Sequence, residues 1–148
     1  MIVVDTNVIH YCWIRGQNTE LAQAVRRRDP DWHAPFLWRS ELRNILSAYL
    51  RRELLSRPQI DGILRAVQRA LAESSHHVSD ASVLDVVESS PLTAYDAEFV
   101  ALADALDVPL VTADKAVLKA FPHRALTMEA FAGRDPSTHS TVAQGRTE

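Results

Sequence analysis

Short apolar runs alternate with longer segments of helical periodicity along most of the chain. Ile2, Val3 and Val4 form a β-branched run typical of a buried parallel strand. Strands are predicted over residues 2–4, 32–37, 108–112 and 124–128, with a brief strand or edge segment over 76–79. Apolar residues at helical spacing predict helices over residues 19–28, 40–55, from 57 onward, 80–89, 94–106 and 115–121. This succession predicts an α/β fold built on a parallel sheet.

Two consecutive helices in the first half of the chain are expected to form a hairpin. Ser40 is the expected N-cap of the first, because serine favours that position. Arg57 and Pro58 start the second after a tight turn. The exposed groove of such a hairpin is a common place for a partner to bind.

The length of 148 residues predicts one globular domain. Residues 1–132 contain all the predicted strands and helices. From Gly133 onward the chain is polar, rich in Ser, Thr and Gly, and lacks an apolar period. Residues 133–148 are therefore predicted to be a disordered C-terminal tail.

Composition and charge exclude few classes of protein. Cys12 is the single cysteine, which excludes an intramolecular disulfide and suits a reducing compartment. No signal peptide or membrane span is predicted, so we expect a cytoplasmic protein. The formal net charge of −3 does not indicate nucleic-acid binding. Of the 16 basic residues only Lys115 and Lys119 are lysines, which fits either an RNA or acidic partner or an arginine-rich codon usage.

Four acidic residues are predicted to meet at one edge of the sheet. Asp5 and Asp114 follow predicted strands, and Glu41 and Asp96 begin predicted helices. Because the carboxyl ends of parallel strands line one crevice, residues far apart in sequence converge there. Each acid also has a structural explanation, since Asp5, Asp96 and Asp114 could cap helices and Glu41 could interact with a helix dipole.

A cluster of four carboxylates would have a high electrostatic cost without a cation. Their mutual repulsion would raise at least one pKa unless a positive ion neutralised them. None of the six histidines shows a paired metal-ligand spacing, and His76 and His77 are expected to be structural or surface residues. Ligands that are all oxygen atoms favour Mg²⁺ or Mn²⁺ over zinc.

Polar and basic residues beside the four acids are candidates for supporting roles. Thr6, Asn7 and Thr112 could orient carboxylates, hold a water molecule or contact a phosphate, or could serve in turns and caps. Basic residues near the acids in sequence are candidates for RNA contact, namely Arg39, Arg43, Lys115 and Lys119.

The four acids lie in sequence motifs that resemble those of PIN-domain ribonucleases, and most of all the VapC-type toxins of bacterial toxin–antitoxin pairs. The motifs are VVDTNVI at residues 3–9, SEL at 40–42, YDAEFVALA at 95–103 and LVTAD at 110–114. Each motif alone is weakly specific, but all four occur in the usual order and spacing. The resemblance extends from Met1 to about Phe131.

The resemblance implies a PIN-like parallel sheet with helices on both faces and a protruding helical hairpin. It implies a Mg²⁺- or Mn²⁺-dependent endoribonuclease in which Asp5, Glu41, Asp96 and Asp114 are catalytic. Of these, Asp5, Asp96 and Asp114 would hold the metal, with Asn7 and Thr112 as supporting residues. As a toxin, such an enzyme would cleave RNA and inhibit growth. It would form a homodimer and bind a cognate antitoxin that wraps the hairpin and blocks the pocket.

Two other functions compete with this interpretation. A catalytically silent PIN module would only bind RNA or a partner, but it has no need for four mutually repelling carboxylates. A haloacid-dehalogenase-like phosphatase also begins with a strand that ends in aspartate. That chemistry uses a second acid two residues later, where this chain has Asn7.

Overall fold

The computed structural model describes residues 1–133, which form five strands and eight helices. The strands are β1 Ile2–Val4, β2 Trp32–Pro35, β3 Ser75–His76, β4 Leu110–Val111 and β5 Ala125–Leu126. The helices are α1 Thr6–Trp13, α2 Thr19–Arg28, α3 Trp38–Arg51, α4 Arg57–Leu71, α5 Asp80–Glu88, α6 Ala94–Leu106, α7 Lys115–Ala120 and α8 Met128–Ala132. Strands and helices alternate as the sequence predicts for an α/β fold.

The strands pair in parallel in the order β3-β2-β1-β4-β5. β1 lies at the centre, where Val3 pairs with His33 on one side and Leu110 on the other. Every residue of β1 is buried. Because successive side chains of a strand point to opposite faces, helices must cover both faces of the sheet. The predicted parallel sheet with helices on both faces is confirmed.

Most predicted helices begin where the sequence places them. α2 and α6 have the predicted bounds, and α5 and α7 end one residue earlier than expected. α4 begins at Arg57 after a capping box in which the Ser56 hydroxyl accepts the Gln59 backbone N–H. The hydroxyl of Thr93 caps α6 by accepting the backbone N–H of Asp96.

The start of α3 differs from the prediction, because Ser40 is not its N-cap. The helix begins at Trp38, and Leu37 is an N-cap without a side-chain hydrogen bond. Trp38 is fully buried, and its indole Nε1 donates to the hydroxyl of Ser75 at 2.8 Å. Packing of this side chain therefore starts the helix before Ser40. The helix also ends at Arg51 rather than near residue 55, because Glu53 adopts a left-handed conformation with φ 58°.

Two short helices, α1 and α8, were not predicted. Each follows a strand almost directly, with Asp5 and Thr127 as their N-caps. α1 has only eight residues and α8 only five, so neither is long enough for a helical period to be recognised in the sequence. The strand predicted over 124–128 accordingly ends at Leu126. β1 has the predicted bounds, whereas β2 and β4 are shorter than predicted, and the strand expected at 76–79 lies at 75–76.

α3 and α4 pack against each other across the turn at Glu53 and form the expected hairpin. No helix within residues 1–133 is long and apolar enough to cross a membrane. The tail predicted for residues 133–148 lies, apart from Gly133, outside the described residues. The division into a domain and a tail remains a prediction.

Candidate active site

Asp5 is the most buried of the four acids and is held by three donors. It follows β1 and caps α1, where its Oδ1 accepts the Val8 backbone N–H at 3.0 Å. Its Oδ2 accepts the hydroxyl of Thr112 and the backbone N–H of Ala113, the latter at 3.2 Å. Burial raises the pKa of Asp5, the three hydrogen bonds oppose that rise, and Asp114 adds to it. Asp5 is therefore a carboxylate fixed in position at the end of the central strand.

Thr112 connects Asp5 to Asp114 across the ends of β1 and β4. Its buried hydroxyl donates to Asp5 and accepts the backbone N–H of Asp114 at 3.0 Å. Asp114 caps α7, because its Oδ1 accepts the backbone N–H groups of Ala116 and Val117 at 2.8 and 3.3 Å. Asp114 therefore does cap a helix, as one of its two explanations expected. It leaves the second carboxylate oxygen, Oδ2, outside the cap.

Glu41 is held by a contact that the sequence did not reveal. Its Oε1 accepts the hydroxyl of Thr6, the first residue of α1, at 2.8 Å. Burial raises the pKa of Glu41, and the charges of Asp96, Asp5 and Glu98 raise it further against the effect of Thr6. Thr6, whose role was left open, orients this acid.

Asp96 lies in the first turn of α6. Its backbone N–H donates to the hydroxyl of Thr93 at 3.2 Å, but the reciprocal contact of a capping box is not formed. Burial raises the pKa of Asp96, and the charge of Asp114 raises it further. The capping explanation therefore accounts for Thr93 but not for the carboxylate of Asp96.

All four acids line one pocket of about 420 Å³. Asp5 and Asp114 come from strand ends, and Glu41 and Asp96 from the first turns of α3 and α6. The pocket also contains polar side chains from Thr6, Asn7, Ser40, Asn44, Tyr95 and Thr112. The structure thus brings together the four acids and both supporting residues predicted from the sequence.

The donor set of this pocket fits a hard divalent cation. Its polar lining consists of carboxylate, hydroxyl and amide groups, with no histidine or cysteine. Mutual repulsion contributes to the raised pKa values of three of the acids. Within residues 1–133, however, no group of three or more acidic, histidine or cysteine side chains is gathered closely enough to form a ready-made ion site. Mg²⁺ in proteins usually keeps several waters and contacts only one or two carboxylates.

Asn44 and Tyr95 line the pocket but were missed by the sequence analysis. Asn44 lies three residues after Glu41 on α3, and that spacing places both on one face of a helix. Tyr95 precedes Asp96 and is 65% exposed. The helical spacing could have revealed Asn44, whereas no signal in the sequence distinguishes Tyr95 from a core aromatic residue.

The four basic residues proposed for RNA contact do not line the pocket. Arg43 is exposed on α3, the helix that carries Glu41. Lys115 and Lys119 are exposed on α7, the helix that follows Asp114. Arg39 is partly buried, and its guanidinium carbon lies 5.8 Å from the ring centre of Phe36. The basic residues therefore lie on elements that border the acids rather than among the acids themselves.

Known proteins match this chain at the level of family and fold. The family model for the PIN domain matches residues 2–122. No curated protein matches the sequence significantly. The fold is similar to the crystal structure of FitAcB from Neisseria gonorrhoeae, with a TM-score of 0.68 and 20% identity over 86% of this chain and 98% of that one. It is also similar to PAE2754 from Pyrobaculum aerophilum, with a TM-score of 0.62 and 22% identity over 90% of this chain and 94% of that one.

At these identities the two structures support the fold alone. The family match is evidence of membership, because it extends from β1 through α7 and includes all four acids. The resemblance first indicated by the four motifs is thereby confirmed: the chain belongs to the PIN domain family.

Proposed function

We propose that this protein is a metal-dependent endoribonuclease that acts as the toxin of a toxin–antitoxin pair. One observation carries the proposal: four acids from four separate elements line the same pocket of a PIN domain. PIN domains are generally nucleases. An acidic pocket that binds a divalent cation gives phosphodiester hydrolysis a physical basis, and the family assignment leaves the phosphatase alternative without support.

Asp5, Asp96 and Asp114 would hold the cation, directly or through water molecules bound to it. A bound Mg²⁺ or Mn²⁺ makes water more acidic and stabilises negative charge on the phosphate. Asp5 is fixed by the hydrogen bonds of Val8 and Thr112, so its carboxylate is oriented before a ligand arrives. Asp114 contributes Oδ2, because Oδ1 caps α7.

Glu41 is suited to accept a proton from the attacking water. Thr6 binds its Oε1, which leaves Oε2 to accept that proton. Its raised pKa brings the group closer to neutral pH, where a general base is most effective. As water adds to phosphorus, the bond from phosphorus to the 3′ oxygen breaks, and that oxygen takes up a proton. The products are a 5′-phosphate and a 3′-hydroxyl.

The toxin role and the partners rest on the VapC-type motifs around the four acids. Such a toxin would form a homodimer and would be inhibited by an antitoxin that binds the α3–α4 hairpin beside the pocket. Asn44 and Ile45 of α3 line the pocket, so a partner on this helix would reach the site. Growth inhibition would then follow from RNA cleavage in the cytoplasm.

The test is induced expression together with RNA cleavage by the purified protein. We expect the unaltered protein to stop growth and to cleave RNA with Mg²⁺ but not with a chelator. Asp5→Asn and Asp96→Asn should abolish both effects. Asp85→Asn, which changes an exposed aspartate on α5, is the matched control and should retain them. Equal cleavage by all four proteins would disprove the catalytic role of the pocket, and a folded protein that only binds RNA would support the silent-module alternative.

A further inference from the structure

An aromatic pair with an adjacent arginine lies beside the acidic pocket and has no role in the chemistry proposed above. The rings of Phe36 and His77 lie with their centres 4.5 Å apart at an interplanar angle of 41°. The guanidinium carbon of Arg39 lies 5.8 Å from the ring centre of Phe36 and 5.6 Å from that of Trp38. We call Phe36, His77 and Arg39 the stacking platform.

The topology places the stacking platform at the same sheet edge as the four acids. Phe36 follows β2, and its backbone N–H donates to the carbonyl of His76 at 3.0 Å. His77 follows β3, the next strand of the sheet. β2 is the neighbour of β1, so the end of β2 lies about 5 Å from the strand that positions Asp5, and the end of β3 about 10 Å from it. The residue after Phe36, Leu37, already lines the acidic pocket.

Core packing does not account for the stacking platform. Phe36 is 37% exposed and His77 is also exposed, whereas the neighbouring Trp38 is fully buried. An exposed aromatic pair beside a cation offers the faces of its rings and a positive charge together. This combination is what proteins use to hold unstacked bases of single-stranded nucleic acids, with the base on the ring and the cation near the backbone.

We propose that the stacking platform is a subsite that holds one unpaired base of the RNA substrate beside the bond that is cut. This inference rests on the proposed ribonuclease function and adds to it a subsite that binds a base. Phe36 and His77 supply the stacking surface. Arg39 supplies positive charge that attracts a backbone phosphate toward an otherwise acidic pocket.

The test compares Phe36→Ala and Phe36→Tyr with Leu84→Ala, a control that removes another exposed apolar side chain, 56% exposed on α5. The substrate is an oligoribonucleotide that spans a cleavage site mapped by sequencing RNA treated with the purified protein. We expect Phe36→Ala to raise KM by about 5- to 30-fold with little change in kcat, because stacking of one base is lost. Phe36→Tyr should restore the KM, and Leu84→Ala should leave it unchanged.

Base removal in the RNA separates a stacking role from a merely structural one. In a series of oligonucleotides that each lack one base, one position should raise the KM of the unaltered protein by a factor similar to that of Phe36→Ala. The same missing base should have no further effect on the Phe36→Ala protein. His77→Ala should lower the penalty for that base without moving it to another position. A melting curve for each variant checks that it is folded.

The outcomes distinguish this inference from the proposed function. Two results would disprove the subsite and leave the ribonuclease function standing, provided that the unaltered protein cleaves RNA. One is a Phe36→Ala protein with the same KM as the unaltered protein. The other is a Phe36→Ala protein whose KM still rises when the same base is missing. If the unaltered protein cleaves no RNA, both fall. If Phe36→Ala weakens binding of the antitoxin but leaves the KM for RNA unchanged, the platform is a protein-docking surface instead.

Discussion

Helix α6 carries aspartates at both ends, and only those at its carboxyl end are paired with an arginine. There Arg124 donates to Asp104 at 2.9 Å and to Asp107 at 3.2 Å, and also to the carbonyl of Val108 at 3.1 Å. At the amino end, Asp96 faces the pocket of the other three acids. None of the ion pairs within residues 1–133 involves any of the four pocket acids.

This difference shows that, within residues 1–133, the acids of the pocket have no basic side chain paired with them. Acids at the carboxyl end of a helix are opposed by the helix dipole, and Arg124 offsets that effect. Among residues 1–133, the side-chain partners of the pocket acids are hydroxyl groups, which orient carboxylates without neutralising them. We therefore expect the pocket to receive its positive charge from a ligand.

Replacing Glu41 with glutamine is expected to have the largest effect in this comparison. The amide keeps the size of the side chain but cannot accept the proton of the attacking water. We expect kcat for RNA cleavage to fall by about 100- to 10,000-fold, with KM nearly unchanged. Asp104→Asn, at the paired end of α6, is the control and should retain full activity. A kcat within a few fold of the unaltered value would remove Glu41 from the proton transfer.

Divalent cations should stabilise the folded protein through the pocket, and the effect should depend on pH. Folding raises the pKa values of Asp5, Glu41 and Asp96, so the folded state binds more protons than the unfolded state above about pH 4. Without a cation, the free energy of unfolding should therefore decrease as pH rises from that value through the raised pKa values. Above that range the ionised pocket should bind Mg²⁺ best.

A cation concentration of about 100 times its Kd should then add about 2.7 kcal/mol to the free energy of unfolding. Melting temperatures with Mg²⁺, with Mn²⁺ and with a chelator, at pH 5 and pH 8, measure this effect. Asp96→Asn should lose most of the increase and Asp104→Asn should keep it. The same increase in both variants would show that the ion binds elsewhere.

The positions of the four acids were predictable because they depend on topology rather than on packing detail. Parallel strands bring their carboxyl ends to one edge, so Asp5 and Asp114 were expected at the same edge, and the pairing of β1 with β4 places them close together. Small errors in helix bounds did not affect this result. The N-cap of α3 was predicted three residues late, at Ser40 instead of Leu37, yet Glu41 still lies in the first turn of the helix.

The contacts around the acids could not be predicted in the same way. Thr6 binds Glu41 across 35 positions of sequence, and it does so from α1, a helix that the apolar pattern concealed. The pairing of Phe36 with His77 depends on where β2 and β3 end and on their register. Such contacts follow from the relative placement of whole elements, which local periodicity does not determine.

Thr112→Val tests how strongly a hydroxyl holds the pocket together. Valine has nearly the same shape, but it removes the donor to Asp5 and the acceptor of the Asp114 backbone N–H. We expect the free energy of unfolding to fall by about 1–3 kcal/mol, as for other buried groups that lose a hydrogen bond. Urea denaturation measures this change. Thr112→Ser should recover most of the loss, because it restores the hydroxyl, and a stable Thr112→Val protein would show that Val8 and Ala113 suffice to hold Asp5.

Arg124→Gln is expected to have the smallest effect, although it removes the cation that joins Asp104 and Asp107. Both aspartates are at least half exposed, at 50% and 90%, so solvent already screens much of the interaction. We expect a loss of about 1 kcal/mol in the free energy of unfolding, smaller at high salt, and no change in RNA cleavage. Urea denaturation at low and high salt, with a cleavage assay, measures both. If cleavage fell as it does in Glu41→Gln, the two ends of α6 would be functionally linked, and the division between paired structural acids and unpaired pocket acids would fail.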